Sequence, residues 1–164
     1  MKLIVILGSL ILLIDQIVKI IVSNIFIANS GITVIRNFFN LVYVKNYGAA
    51  FSFFSGGRIF LIAISIFSVF LIYKYYLKNK KLNKLESMVF GILLGGLFGN
   101  LIDRIFLGYV IDYLSFKIFD YYFPVFNFAD ICIVVATTFL IMIVGSGKDE
   151  NKSNRRKKTR PLFK

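Results

Sequence analysis

Two aspartates, Asp112 in "YVIDYLSF" and Asp130 in "FPVFNFADICIV", stand 18 residues apart on either side of a short loop between strongly apolar stretches. Carboxylates brought close together share a proton, because their like charges disfavour double ionisation, and one then serves as base and the other as acid near neutral pH. Such a pair can activate water against a peptide carbonyl and then protonate the leaving amine. The chain has no histidine and one cysteine, Cys132, which excludes His-dependent triads, Cys-His dyads, internal disulfides and cysteine-rich metal sites. Paired carboxylates are the most economical hydrolytic chemistry left. Taken singly, each has a plainer explanation: an acid in a first helical turn complements the helix dipole and caps free N–H groups, and Asp112 could be any turn residue.

Other polar residues interrupt apolar runs. In "LIDQIVKII", Asp15 and Lys19 are four apart, on one helix face, and can pair as a structural tie or as support for a site. In "GGLFGNLIDRIFLG", Asn100, Asp103 and Arg104 share a face by the same rule, as polar glue between helices or as part of a site. Gly91, Gly95 and Gly99 recur every four residues, which lets helix backbones approach closely and would fix the helix bearing Asn100 to Arg104. "KNYGAAF" offers Asn46 as a hydrogen-bonding side chain, then Gly48, Ala49 and Ala50, small enough for an extended ligand to reach the backbone; a plain hairpin turn explains it equally well. Asn127 enters the last apolar segment beside Asp130.

The elements that must position these residues are membrane helices. The 164 residues are 58% hydrophobic, with a mean hydropathy of +0.78, more apolar surface than a soluble domain needs. A helix needs about 20 apolar residues to cross a hydrocarbon core roughly 30 Å thick. Four segments qualify: Leu3 to Val22, Ile59 to Leu77, Met88 to Leu107 and Val125 to Val144. The first could be a secretory signal peptide, but its helical character continues through "DQIVKIIV" with no small-x-small cleavage site. The sequence predicts an all-α integral membrane protein of four transmembrane helices, one domain over residues 1–147 and a disordered basic tail over 148–164. Gly108 should end the third helix, and Pro124 suits the first turn of the fourth. "ITVIRNFFNLVYVKNYGAAFSFFSGG", rich in β-branched and aromatic residues, reads as a small extracytoplasmic β-rich element between helices 1 and 2.

A net charge of +12 would suggest nucleic acid in a soluble protein, but here its placement matters more. Lys2, five lysines at and just beyond the end of the second segment (Lys74, Lys78, Lys80, Lys81 and Lys84) and eight basic residues in the tail contrast with Arg36, Lys45, Arg58 and Lys117 in the other two loops. The positive-inside rule puts both termini and the middle loop in the cytoplasm. Asp15, Asp103, Asp112, Asp120 and Asp130 then all lie toward the extracytoplasmic side.

In chain order, "DQIVK" (Asp15 to Lys19), "NYGAAF" (Asn46 to Phe51), "GNLIDR" (Asn100, Asp103, Arg104), "VIDY" (Val110 to Tyr113) and "FNFAD" (Phe126 to Asp130) resemble the bacterial lipoprotein signal peptidases, signal peptidase II, which are membrane aspartic peptidases. The resemblance covers nearly the whole chain apart from the tail. It implies that Asp112 and Asp130 are the catalytic dyad and that Asn46, Asn100, Arg104 and Asn127 shape or bind the site. Asp15, Lys19, Gly48 and Asp103 would support it. The implied substrate is a prolipoprotein cut before a diacylglyceryl-modified cysteine, in the bacterial cytoplasmic membrane. The resemblance further implies a monomer in contact with membrane lipid, no metal or organic cofactor, and inhibition by globomycin. Ile111 and Tyr113 stand where the family often has "VVDF", and Phe128 where it often has a β-branched residue or leucine; no functional side chain changes. Two other readings compete: a four-span proton- or cation-coupled transporter using membrane aspartates, and a non-enzymatic scaffold with an ionic helix interface.

Overall fold

The helices are inverted relative to those of a water-soluble protein. In α1 (Lys2–Ile25), Asp15, Lys19 and Val22 are buried on one face, while Val5, Ile6, Leu10, Leu13, Ile17 and Ile21 are exposed. Hydrocarbon solvent favours this arrangement, since a charge must find its partner inside the bundle. The computed structural model describes residues 1–48, 57–78 and 81–158, with the backbone alone for 144–158. Ala49, Ala50 and Phe51 of "NYGAAF" lie outside the described residues.

Strands β1 (Gly31–Ile35) and β2 (Phe39–Asn46) follow α1, then α2 (Arg58–Ile72), which continues into a π-helical turn, Tyr73–Leu77. Next come α3 (Lys84–Phe106), β3 (Val110–Ile118), the short β4 (Tyr121–Tyr122) and α4 (Phe128–Lys158). The helices α1, α2 with its π-helical turn, and α3 are each long and apolar enough to cross a membrane. The apolar part of α4, Phe128–Ile143, is shorter, and its helical backbone runs on through the predicted tail to Lys158; residues 159–164 lie outside the described residues.

The central helix is α3, packed between α1 and α4, and it starts on a capping box: Asn83 Oδ1 accepts from Glu86 N, and Glu86 Oε2 accepts from Asn83 N, each at 2.8 Å. Its glycines make the close approach possible. A Cβ on Gly95 would lie 2.7 Å from Gly8 O and from Ile11 Cβ of α1, and one on Gly96 2.7 Å from Ala129 O of α4. One on Gly99 would strike Asp15 Oδ2 at 2.5 Å. The predicted small-residue stripe therefore packs on α1, and the unforeseen Gly96 serves α4.

The expected β element is half of a larger one. Strands β1 and β2 continue into β3 and β4 as a four-stranded antiparallel sheet in the order β1-β2-β3-β4. The register sets Val44 opposite Asp112 and Asn46 opposite Val110. Gly108 does end α3, at φ +86. Pro124 does not open α4: Phe126 pairs with Leu114 of β3, and Asn127 immediately precedes the helix. Asn127 Oδ1 accepts from Asp130 N at 3.0 Å while Asp130 Oδ2 accepts from Asn127 N at 3.2 Å. This reciprocal cap satisfies two helix-end donors, so asparagine, not proline, sets the boundary.

Because a methyl group at Gly95 meets backbone of α1, Gly95→Ala should lower stability by about 1–3 kcal/mol, as overpacking does. Gly8→Ala, whose nearest atom is Gly91 O at 3.3 Å, should cost less. Thermal unfolding of both variants in one detergent checks the ranking, and equal stabilities would contradict it.

Candidate active site

The pairing of Phe126 with β3 brings together residues far apart in sequence. Phe126 O accepts from Leu114 N at 2.8 Å and from Tyr113 N at 3.1 Å, which brings Asn127 beside Asp112 and leaves Asp130 one helical turn further on. Asp112 reaches the same place from the α3 side, four residues after Gly108 turns the chain into β3.

A chain of carboxamides links the two aspartates. Asn127 Nδ2 donates to Asp112 Oδ1 at 2.7 Å and to Asn100 Oδ1 at 3.1 Å, and Asn100 Nδ2 donates to Asp130 Oδ1 at 2.7 Å. Asn46 Nδ2 donates to the other oxygen of Asp112 at 2.8 Å, and Asn46 Oδ1 accepts from Gly48 N at 2.9 Å. Asn127 and Asp112 are nearly fully buried, whereas Asp130 is half-buried. Arg104 lies alongside: its guanidinium donates to Gly48 O at 3.2 Å and to Asn100 O at 3.4 Å. The carboxylates whose charges act most on it are Asp130, Asp112 and Asp103, in that order.

Beneath this layer lies a second pair of carboxylates. Asp103 Oδ2 accepts from Ile111 N at 3.1 Å, and Asp15 Oδ1 accepts from Ala129 N at 3.0 Å. Ile111 and Ala129 are the residues immediately before Asp112 and Asp130. Lys19 Nζ bridges the two, at 2.7 Å from Asp15 and 2.9 Å from Asp103, and donates to Asn100 Oδ1 at 3.0 Å. One ammonium, 1% exposed, thus ties together the backbone before each upper aspartate and the amide between them. Among the described residues no buried side-chain N or O lacks a partner. This satisfaction is what a polar cluster in hydrocarbon surroundings needs.

All the site residues predicted from sequence therefore meet in one cluster. Asp120 stays out, fully exposed in a 3.4 Å surface pair with Lys117 that contributes little to stability. Three participants were not foreseen. Gln16 Nε2 donates to Asp103 Oδ1 at 3.0 Å and to Gly99 O at 3.2 Å, Tyr113 Oη accepts from Phe128 N at 3.1 Å, and Arg58 meets the end of α3. Gln16 stands within the "DQIVK" block and could have been found there; the other two depend on tertiary placement. Among the described residues no three His, Cys, Asp or Glu side chains gather as a metal-ligand set.

Electrostatics act strongly on Asp112. Burial, followed by the negative charge of Asp130, pushes Asp112 up from the ordinary carboxylate range to about 7, against the opposing hydrogen bonds from Asn46 and Asn127. A carboxyl in that range holds or releases a proton at neutral pH, which suits acid-base work on a peptide bond.

The family described as signal peptidase (SPase) II matches residues 7–145 of the chain. The lipoprotein signal peptidase of Clostridium acetobutylicum is 37% identical over 145 residues, covering 88% of this chain and 94% of its own. That of Symbiobacterium thermophilum is 39% identical over 138 residues, covering 84% and 91%. A solved bacterial membrane enzyme superposes with a TM-score of 0.81 at 26% identity, covering 99% of this chain and 96% of that one.

Removing Lys19 leaves two buried carboxylates facing each other without their cation. Lys19→Met should destabilise the protein by about 3–5 kcal/mol, the usual consequence of breaking a buried pair from one side. Denaturation in detergent checks this, and a variant as stable as the parent would show that the ammonium does not hold the cluster.

Proposed function

The chain belongs to the signal peptidase II family, and on that premise we propose that Asp112 and Asp130 are its catalytic dyad. It is an aspartic membrane peptidase that removes the signal peptide from prolipoproteins, cutting before the diacylglyceryl-modified cysteine. The family match decides against the transporter reading. One observation carries the dyad assignment: Asn127 and Asn100 link the two carboxyls through donors at 2.7 Å at each end. A geometry fixed before substrate arrives needs no reorganisation during the reaction.

In the resting site the dyad holds one proton, which we place on Asp112, where burial and the neighbouring carboxylate favour it. Asp130 takes a proton from a water molecule, and the resulting hydroxide attacks the carbonyl carbon of the scissile bond. Asp112 gives its proton to the oxyanion of the tetrahedral intermediate, leaving a gem-diol; as the C–N bond breaks, the leaving nitrogen takes the proton held by Asp130 and one gem-diol hydroxyl returns its proton to Asp112. One water is consumed and the dyad regains its single proton. Arg104, held by Gly48 O, places a positive charge beside the developing oxyanion.

Four spans with both termini in the cytoplasm fit the charge distribution, with α4 crossing as the fourth and the sheet and dyad at the extracytoplasmic face. At that depth acyl chains can stay in the membrane while the scissile bond reaches the aspartates. We assign the chain to act as a monomer in contact with lipid, over residues 1–147, to be blocked by globomycin, and to use its tail for topology rather than chemistry.

Purified parent protein, Asp112→Asn and Asp130→Asn, each checked for folding, should be assayed on a diacylglyceryl-modified prolipoprotein. The parent should cut before the lipidated cysteine, and each variant should be slower by at least about 100-fold. Near-normal turnover by either folded variant would refute the dyad. Activity should also fall as pH rises through about 7, where Asp112 loses the shared proton. The Asn46 hydrogen bond lowers the Asp112 value, so Asn46→Ala should move that alkaline limb to higher pH; a shift downward would contradict the assignment.

A further inference from the structure

Arg58 is oddly placed for its own helix. It is the first residue of α2, where the dipole disfavours a cation. Its guanidinium instead crosses to the opposite pole of α3. Nε donates to Arg104 O at 2.8 Å and Nη2 to Ile105 O at 2.7 Å, two of the final carbonyls that α3 cannot satisfy internally. A cation is favoured at that end. Nη1 lies 3.3 Å from where Gly108 would carry a Cβ, so the fork fills the space over the turn that leads to Asp112. Arg104 itself reaches from this same turn to Gly48 O at 3.2 Å. Residues 48 and 58 thus both attach to Arg104, one through its side chain and the other through its carbonyl.

We propose that Arg58 is a positioning residue for peptide cleavage, acting through Arg104: it clamps the last turn of α3 so that the Arg104 guanidinium and the entry to Asp112 are held in their working places. The inference rests on the dyad reading above. A two-pronged donor is required because two adjacent carbonyls are bound at once. The first turn of α2 and the last turn of α3 are then one unit.

The test uses the full chain in detergent with a diacylglyceryl-modified prolipoprotein, comparing the parent with Arg58→Gln, Arg58→Lys, Arg104→Lys and the double variant Arg58→Gln/Arg104→Lys. Asp130→Asn serves as the control for the dyad. Arg58→Gln should lower kcat about tenfold or more while KM changes less than about threefold, because alignment of the reacting groups is lost and substrate contacts are kept. Arg58→Lys, which keeps the cation at the carbonyls but not the fork that binds both, should recover only part of the loss. The two losses should be non-additive, the double variant being little slower than the slower single one, since both act on one unit. Normal kcat in Arg58→Gln, fully additive losses, or an Arg58→Gln chain that does not fold would each overturn the proposal. If Asp130→Asn is inactive while Arg58→Gln is normal, this inference fails and the dyad stands; an active Asp130→Asn removes the dyad instead.

Discussion

One buried ammonium organises the site. Lys19 lies 2.7 Å from Asp15 and 2.9 Å from Asp103, and each carboxylate uses a further oxygen contact to hold the amide just before one of the two upper aspartates. Asp112 comes from a strand and Asp130 from a helix, and neither element by itself fixes their relation. The buried bridge fixes it, because moving either backbone away would strip a carboxylate of its donor where no water can replace it.

The remaining architecture follows from the need to bury that cluster. Side chains on α1 and α3 can share an ammonium only if the helices approach closely, and Gly95 and Gly99 permit this by presenting no side chain to Gly8 and Asp15. Gly96 does the same toward Ala129, so α4 comes close enough for its first turn to meet Asp15. The lipid-facing surfaces then need only be apolar, as the exposed isoleucines, leucines and phenylalanines are. Electrostatic order continues upward: the lower pair shares the Lys19 ammonium and is held by backbone donors, and the upper pair is hydrogen-bonded by neutral amides. Burial can therefore raise Asp112 to about 7, leaving its carboxyl able to exchange a proton.

Much of this was legible in the sequence, for physical reasons that differ by element. Apolar runs marked the helices because hydrocarbon demands them. Asp15 and Lys19 showed their pairing through a spacing internal to one helix, as did Asn100 and Asp103 their common face. Gly108 revealed the end of α3 through its own conformational freedom. What stayed hidden depended on partners distant in sequence. Leu114 and Phe126 must pair before Asn127 can cap α4 and bond Asp112, and local preference pointed to Pro124 instead. The acceptors of Arg58 are main-chain oxygens, which carry no sequence signature, and Tyr113 caps a helix that begins 15 residues later.

The most direct test of a single proton held on a carboxyl pair of fixed geometry is an infrared titration of the protein labelled with carbon-13 at its aspartate carboxyls, followed across neutral pH in the parent and in Asp112→Asn. The expected result is one protonated-carboxyl band lost with a midpoint near 7, absent in Asp112→Asn. A band that persists unchanged in Asp112→Asn, or no carboxyl titrating in that range, would contradict the account.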